Sequence, residues 1–187
     1  MTYHVTAHAV AEARIVRNDS DRERLLAQLQ MVAGELGWTC LAVCLMDTHY
    51  HLLVTTPEPN LARGMQYVNG CYAQFFNRMY GRRGHLFGGR YYGGKVVTQA
   101  HLLMTLRYIA RNCLDKGADP ARYSWSSYPG IIGTRPCWPF IAKTQVLELF
   151  GIAETGVELL RAFVEDDRPR GAAAGVAGSD PGRSGPV

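Results

Sequence analysis

His49-Tyr50-His51, near the middle of the chain, sets two imidazoles two positions apart. In an extended segment alternate side chains share a face, so His49 and His51 point one way and Tyr50 the other. Two imidazoles side by side can chelate one metal ion. The same triplet also fits a pair of partnered histidines in an ordinary sheet, and the spacing by itself does not choose between the two.

A second constellation lies further on. Residues 99–116 carry Leu102, Leu103, Leu106, Ile109, Ala110 and Cys113 at helical spacing, a core face. On the opposite side His101, Thr105, Tyr108 and Asn112 form a polar stripe, with Tyr108 and Asn112 one turn apart. A tyrosine on the core rim and an asparagine near a helix end account for that stripe without any chemistry. The flanking Arg107 and Arg111 point further, because guanidinium groups can hold phosphates near a tyrosine hydroxyl. His4, His8 and His101 have no ligand partner within two residues and read as structural or nucleic-acid-contacting.

Charge is unevenly spread. The whole chain is +4, but no acidic residue lies between Glu58 and Asp115. That window holds Arg63, Arg78, Arg82, Arg83, Arg90, Lys95, Arg107 and Arg111, a net +8, against −4 for the rest. Aromatic residues interleave with these charges: Tyr67, Tyr72, Phe75, Phe76, Tyr80, Phe87, Tyr91 and Tyr92. Some of these rings must be core. Positive charge with stacking rings is nonetheless what a single-stranded nucleic acid requires.

The elements that must position these residues follow from pattern. At 187 residues, 47% hydrophobic and 19% charged, the chain has the composition of one globular domain with a real core. Tyr3–Val10 alternates as a strand, and Arg14–Arg17 reads as a short extended piece pairing with it. Asn18 or Ser20 caps a helix whose apolar stripe runs from Leu25 to Leu36 and stops at Gly37. Thr39–Met46 and His49–Thr56 form a hairpin about Asp47-Thr48. Asn60 caps a helix over Leu61–Tyr80, with Leu61, Met65, Val68, Tyr72, Phe75, Phe76 and Met79 inward. A Gly- and Arg-rich loop, Gly81–Gly89, leads to an extended segment, Arg90–Thr98, and then to the helix Gln99–Lys116. Gly117–Pro139 is irregular. Short helices are predicted near Lys143–Phe150 and Thr155–Val164, and Arg168–Val187 as a disordered Gly/Ala/Pro-rich tail. The domain is thus 1–166, with a helical extension from about 131 and a tail over 167–187. The hairpin between helices argues for an α+β fold with an antiparallel sheet. Five cysteines without a CxxC pair argue against a disulfide framework. No apolar run is long enough for a membrane span and Met1–Val10 is not a secretory signal, which fits a cytoplasmic protein.

Several blocks resemble one family. Met46-Asp47-Thr48-His49-Tyr50-His51-Leu52-Leu53-Val54 is similar to the "MPNHVHLLV" strand of the IS200-like single-tyrosine (Y1) transposases, with the REP-associated tyrosine transposases the nearest branch. Tyr3-His4-Val5-Thr6 resembles the opening strand. Thr56-Pro57 through Asn60-Leu61, with Arg63-Gly64-Met65-Gln66, resembles the following helix start. Gly84-His85-Leu86-Phe87 with Gly89-Arg90-Tyr91 resembles "GHLFQGRF". Arg107-Tyr108-Ile109 to Asn112 resembles "RYIHLNP", and Trp125-Ser126-Ser127-Tyr128 resembles "WSSY". The likeness spans about residues 2–130. Departures include Thr48 for the usual Asn, the bulky Tyr50, Cys113 for the usual Pro, and Asp115-Lys116-Gly117 where "VRAG" is common.

The resemblance implies a ferredoxin-like endonuclease fold with the histidine–hydrophobe–histidine motif, an antiparallel sheet flanked by helices. It implies that His49, His51 and Asn112 hold Mg²⁺ or Mn²⁺ and that Tyr108 is the nucleophile. The product would be a 5′-phosphotyrosine on single-stranded or hairpin DNA, by a monomer or a homodimer, with no membrane partner. The eight basic residues named above are the expected DNA contacts. Two other readings remain beside it. One is a nucleic-acid-binding domain of the same fold with reduced catalysis. The other is an unrelated HxH metal hydrolase, which would need no tyrosine facing the histidines.

Overall fold

In the computed structural model, which describes residues 1–151 and 153–166, seven strand residues from each of three segments and five from a fourth build one antiparallel sheet. The strands are β1 (Thr2–His8), β2 (Thr39–Leu45), β3 (His49–Thr55) and β4 (Tyr92–Val96). Their order across the sheet is β2-β3-β1-β4. Helix α1 (Asp19–Glu35) crosses from β1 to β2, and α2 (Leu61–Met79) from β3 to β4. This is the ferredoxin-like arrangement of an α+β fold. Helix α3 (Gln99–Arg111) follows β4, then α4 (Tyr128–Ile131), α5 (Lys143–Glu148) and α6 (Ala153–Glu165).

Local sequence explains the first crossover. The Asn18 side chain accepts from the Asp21 amide at 3.0 Å, and the Asp21 carboxylate accepts from the Arg17 amide at 2.7 Å. Acidic residues in the first turn also suit the helix dipole. Leu25, Leu29 and Val32 are buried along one face, and Gly37, at φ +65°, takes the left-handed turn that ends the helix. Helix α2 passes so close to Trp38 that a Cβ on Gly64 would lie 2.2 Å from the indole.

The two faces of the sheet differ. Val5, Ala7, Tyr50, Leu52 and Val54 point to the side covered by α1 and α2, where the Tyr50 hydroxyl donates to Asn69 of α2 at 2.7 Å. The other face carries His4, Thr6 and His8 of β1 and His49, His51 and Leu53 of β3, and α3 packs there against β2 and β3.

Some expectations change. Arg14–Arg17 forms no strand: Ile15 and Val16 are buried, and their amides donate to the Asp47 carbonyl at 2.7 and 3.4 Å. Asn60 makes no side-chain cap for α2; its carboxamide accepts from the Trp38 indole at 2.7 Å and donates to the Leu36 carbonyl. Met79 points outward, 60% exposed. The helix of Tyr108 ends at Arg111, and Asn112–Lys116 tightens into a 3₁₀ turn. The C-terminal extension does more than follow the domain. The amides of Leu45, Ser127 and Ala142 exchange bonds of 2.8, 2.9 and 2.8 Å with Trp125, Val43 and Cys40 carbonyls, covering the β2 edge. An uncovered edge would be a template for unwanted pairing. The predicted tail, Arg168–Val187, lies outside the described residues.

Candidate active site and metal centre

Cross-strand register assembles the site. In β1–β3 pairing Thr6 lies opposite His51 and His8 opposite His49. The His8 and His49 rings stack at 4.7 Å between centroids, and His49 meets His51 edge-on at 5.0 Å. His4 sits diagonally from His51, its ring 5.2 Å away. Long side chains at diagonal positions reach one another on one face of a sheet.

Helix α3 delivers Tyr108 and Asn112 to this face. Its start is capped by Thr98, whose hydroxyl accepts from the His101 amide at 3.1 Å. The Tyr108 ring packs edge-on to His51 at 5.2 Å and to His4 at 5.8 Å, while the residue stays 53% exposed. Asn112, on the stripe opposite the predicted core face, is only 5% exposed, whereas His101 of the same stripe is exposed. Thr105 is buried like Asn112. Tyr50, between the histidines in sequence, is fully buried on the other face.

Burial disfavours the charged form of His51, His49 and His4. Burial first, then the neighbouring His49, His4 and His8, bring His51 down to about 3. Burial and then His8 lower His49, with the Asn112 side chain beside it acting in the opposite sense. Burial and then His101 lower His4. A neutral imidazole offers a lone pair, which a metal needs.

Hydrogen bonds leave specific atoms free. His49 Nδ1 lies 3.0 Å from the Thr48 hydroxyl, and His51 Nδ1 lies 3.1 Å from both His4 Nε2 and Thr6 Oγ1. His51 Nε2 and Asn112 Oδ1 are buried with no hydrogen-bond partner. Orphaned buried polar atoms are uncommon, and an imidazole nitrogen and an amide oxygen are donor types that a divalent ion accepts. Among the described residues no group of three or more His, Cys, Asp or Glu is arranged to hold a metal ion. The side chains here that could hold an ion are those of His49 and His51 and, through its amide oxygen, Asn112.

By sequence alone His4 and His8 read as structural or nucleic-acid-contacting, Thr48 is noted only as a departure from the usual Asn, and Thr6 is given no role. Their signal is the alternation His4-Thr6-His8 in the first strand, which becomes informative only once that strand is paired with His49–His51. The turn before His49 is fixed by Asp47, whose carboxylate contacts Arg22 at 2.6 Å and Lys116 at 2.7 Å.

The eight basic residues do not gather at the tyrosine. Arg63 and Arg78 are exposed on α2, across the sheet. Lys95 pairs with Tyr3 and so points to that same side. Arg90 lines a cleft of about 940 Å³ between α2 and the Gly84–Gly93 segment, where Gln66, Asn69, Gln74 and Asn77 also lie. Arg83 is exposed in the loop after α2, and Arg82 is partly buried, its guanidinium 5.8 Å from the Phe76 ring centre. Arg107 and Arg111 are on α3 but turn to the end of α6: Arg107 donates to the Phe163 and Asp166 carbonyls, and Arg111 to that of Val164. Cations at a helix C-terminus complement its exposed carbonyls and dipole. Of the interleaved rings, Tyr72, Phe76 and Phe87 are core, whereas Tyr92 is 68% exposed on β4, opposite Thr6 on the histidine face.

Comparison with known proteins adds the following. A family model described as "Transposase IS200 like" matches residues 1–112. No curated protein matches the sequence. Among solved structures, the chain is similar to a REP-associated tyrosine transposase bound to a REP hairpin, at 14% identity and a TM-score of 0.59, over 74% of this chain and 82% of that one. It also matches a proposed transposase from Deinococcus radiodurans at 17% identity and a TM-score of 0.44, over 56% and 85% of the two chains. At 14% identity the first likeness speaks for the fold. Among the described residues no helix is long and apolar enough to cross a membrane.

Proposed function

Because the chain belongs to the IS200-like transposase family, we propose that it is a metal-dependent DNA strand transferase acting on single-stranded or hairpin DNA, with Tyr108 as nucleophile. The observation that carries this reading is the contact of the half-exposed Tyr108 ring with buried His51, whose Nε2 has no partner. An unrelated HxH hydrolase would have no use for a tyrosine there.

His49 and His51 would hold Mg²⁺ or Mn²⁺ through Nε2, with Asn112 Oδ1 completing the protein's share. When bound, such an ion prefers six ligands, so three protein ligands leave room for water and a phosphate oxygen whose charge it withdraws. The Tyr108 oxygen attacks the phosphorus, forming an O–P bond as the bond to the 3′ oxygen breaks. The products are a 5′-phosphotyrosine and a free 3′-hydroxyl: the phenolic proton leaves to solvent, to which Tyr108 is open, and the departing 3′ oxygen takes a proton from that solvent. The covalent link retains the phosphodiester energy for rejoining. Exposed Arg63, Arg78, Arg83, Arg90 and Lys95 would hold the DNA backbone on the α2 side, with the strand passing the open β4 edge and Tyr92 to reach Tyr108.

The test is incubation of the wild type and Tyr108→Phe with labelled single-stranded hairpin DNA and Mn²⁺, followed by denaturing electrophoresis. The wild type is expected to form a covalent protein–DNA adduct and Tyr108→Phe to bind DNA without one. An adduct that persists in Tyr108→Phe overturns the assignment. Binding without any wild-type adduct leaves the alternative, a nucleic-acid-binding domain of reduced catalytic activity.

A further inference from the structure

One line across the sheet joins three residues of the histidine face. His51 of β3 lies opposite Thr6 of β1, and Thr6 lies opposite Tyr92 of β4. Hydrogen-bonded strands run about 4.8 Å apart, so Tyr92 is rooted about 10 Å from His51. That is the reach of one nucleotide from its phosphate to its base. We propose that Tyr92 is a positioning residue: its ring stacks on the nucleobase beside the phosphate that Tyr108 attacks. The inference rests on the reading of Tyr108 as nucleophile, and it gives the open edge of the sheet a part in fixing the strand.

Packing leaves this ring bare. Helix α3 covers the face over β2 and β3, whereas His8 and Tyr92 on the β1–β4 half are exposed. Strand β4 is also an edge of the sheet. Among the described residues Tyr92 makes no hydrogen bond or ring contact. The ring nonetheless has a defined place. A Cβ on Gly94 would lie 3.1 Å from Tyr92 Cε1 and 3.2 Å from its hydroxyl. The ring therefore lies along the strand over Gly94, the residue opposite His4. A side chain at position 94 would lift it. Glycine inside a strand often marks a place where a ligand approaches closely.

A base suits this place better than a phosphate. Tyr92 offers an uncharged ring, and every base has a face to stack on it, whatever the sequence. No acidic residue between Glu58 and Asp115 repels an incoming strand. The exposed Tyr108 touches both His51 and His4, at 5.2 and 5.8 Å between ring centroids, and so stands over β3 and β1. His4 thus lies between two exposed tyrosines, one placed to react and one placed to stack.

The experiment uses the full chain and single-stranded oligothymidylate carrying 5-iodouracil, with photocrosslinks located by peptide mapping. A crosslink to Tyr92 is expected. Affinity for oligothymidylate should fall about fivefold or more in Tyr92→Leu and be kept in Tyr92→Phe. The slope of log affinity against log salt should be the same in all three proteins, because the ring carries no charge. Melting temperatures report whether each variant folds. A second arm uses the hairpin DNA that yields an adduct, in the Tyr108→Phe background. Removing the base beside the cleaved phosphate should erase the difference that Tyr92→Leu makes, and removing a distant base should not. The proposal is overturned if Tyr92 takes no crosslink, if Tyr92→Leu binds like the wild type, or if the distant base matters as much. A Tyr92 crosslink in a protein that forms no adduct supports stacking and sinks the nucleophile reading. An adduct formed with no part played by Tyr92 does the reverse.

Discussion

The Lys116 ammonium lies 2.7 Å from the Asp47 carboxylate. This pair ties the 3₁₀ turn that carries Asn112 to the hairpin turn that precedes His49. Arg22 of α1 grips the same carboxylate oxygen at 2.6 Å, so three elements meet at one acidic side chain. Both residues at the turn depart from the family's usual pattern or lie beside a departure, yet together they hold the two halves of the site in register.

The first prediction concerns that anchor. Burial raises the Asp47 pKa, but the bonds to Lys116 and Arg22 outweigh it and leave the carboxyl below its ordinary value. A folded pKa below the unfolded one adds stability above the unfolded value, lost as pH falls through the folded value. Asp47→Asn should therefore cost about 1–2 kcal/mol at neutral pH. With chelator present, its melting temperature should converge on that of the wild type as pH drops below about 4. An equal gap at both ends of that range would show that charge at Asp47 is not what matters.

Arg107 should behave as a structural clamp. It donates to two carbonyls at the end of α6, so Arg107→Ala is expected to destabilise the protein by about 1–3 kcal/mol. The salt dependence of DNA binding should not change. A flatter salt slope with unaltered thermal stability would return Arg107 to the DNA.

For the exposed basic residues the reverse is expected. Arg83 and Arg90 are exposed, and replacing both by Ala should leave stability unchanged. If each neutralises one phosphate of a single strand, the slope of log affinity against log salt should become shallower by about 1.4 in total. Titrations at several salt concentrations measure this directly. Arg82 is a poorer choice, because its partly buried guanidinium lies against Phe76.

Removing either proposed metal ligand should uncouple binding of Mn²⁺ from binding of DNA. His49→Ala and His51→Ala are each expected to lose Mn²⁺ affinity while holding hairpin DNA at wild-type strength, since the exposed cations are elsewhere. Calorimetric titration with Mn²⁺ and a gel-shift assay separate the two. Wild-type Mn²⁺ affinity in both variants would remove these histidines from the metal centre.

Much of the site was legible along the chain. Strand alternation put His49 and His51 on one face and turned Tyr50 to the other, where it is buried against α2. Helical spacing put Tyr108 and Asn112 one turn apart, and ordered motif blocks indicated the family and the ferredoxin-like sheet. These features are periods of two and 3.6 residues, dictated by the backbone within a single segment. The tertiary structure alone decided how segments meet. Antiparallel register brought His4, Thr6 and His8 to the histidine pair, although their own strand gives no hint of a partner. Packing of α3 on the sheet buried Asn112, and the arrival of α6 drew Arg107 and Arg111 away from the surface. The same topology placed the other basic residues on the α2 side, across the sheet from Tyr108. Such outcomes depend on which faces bury each other over long sequence separations, and no local period encodes that choice.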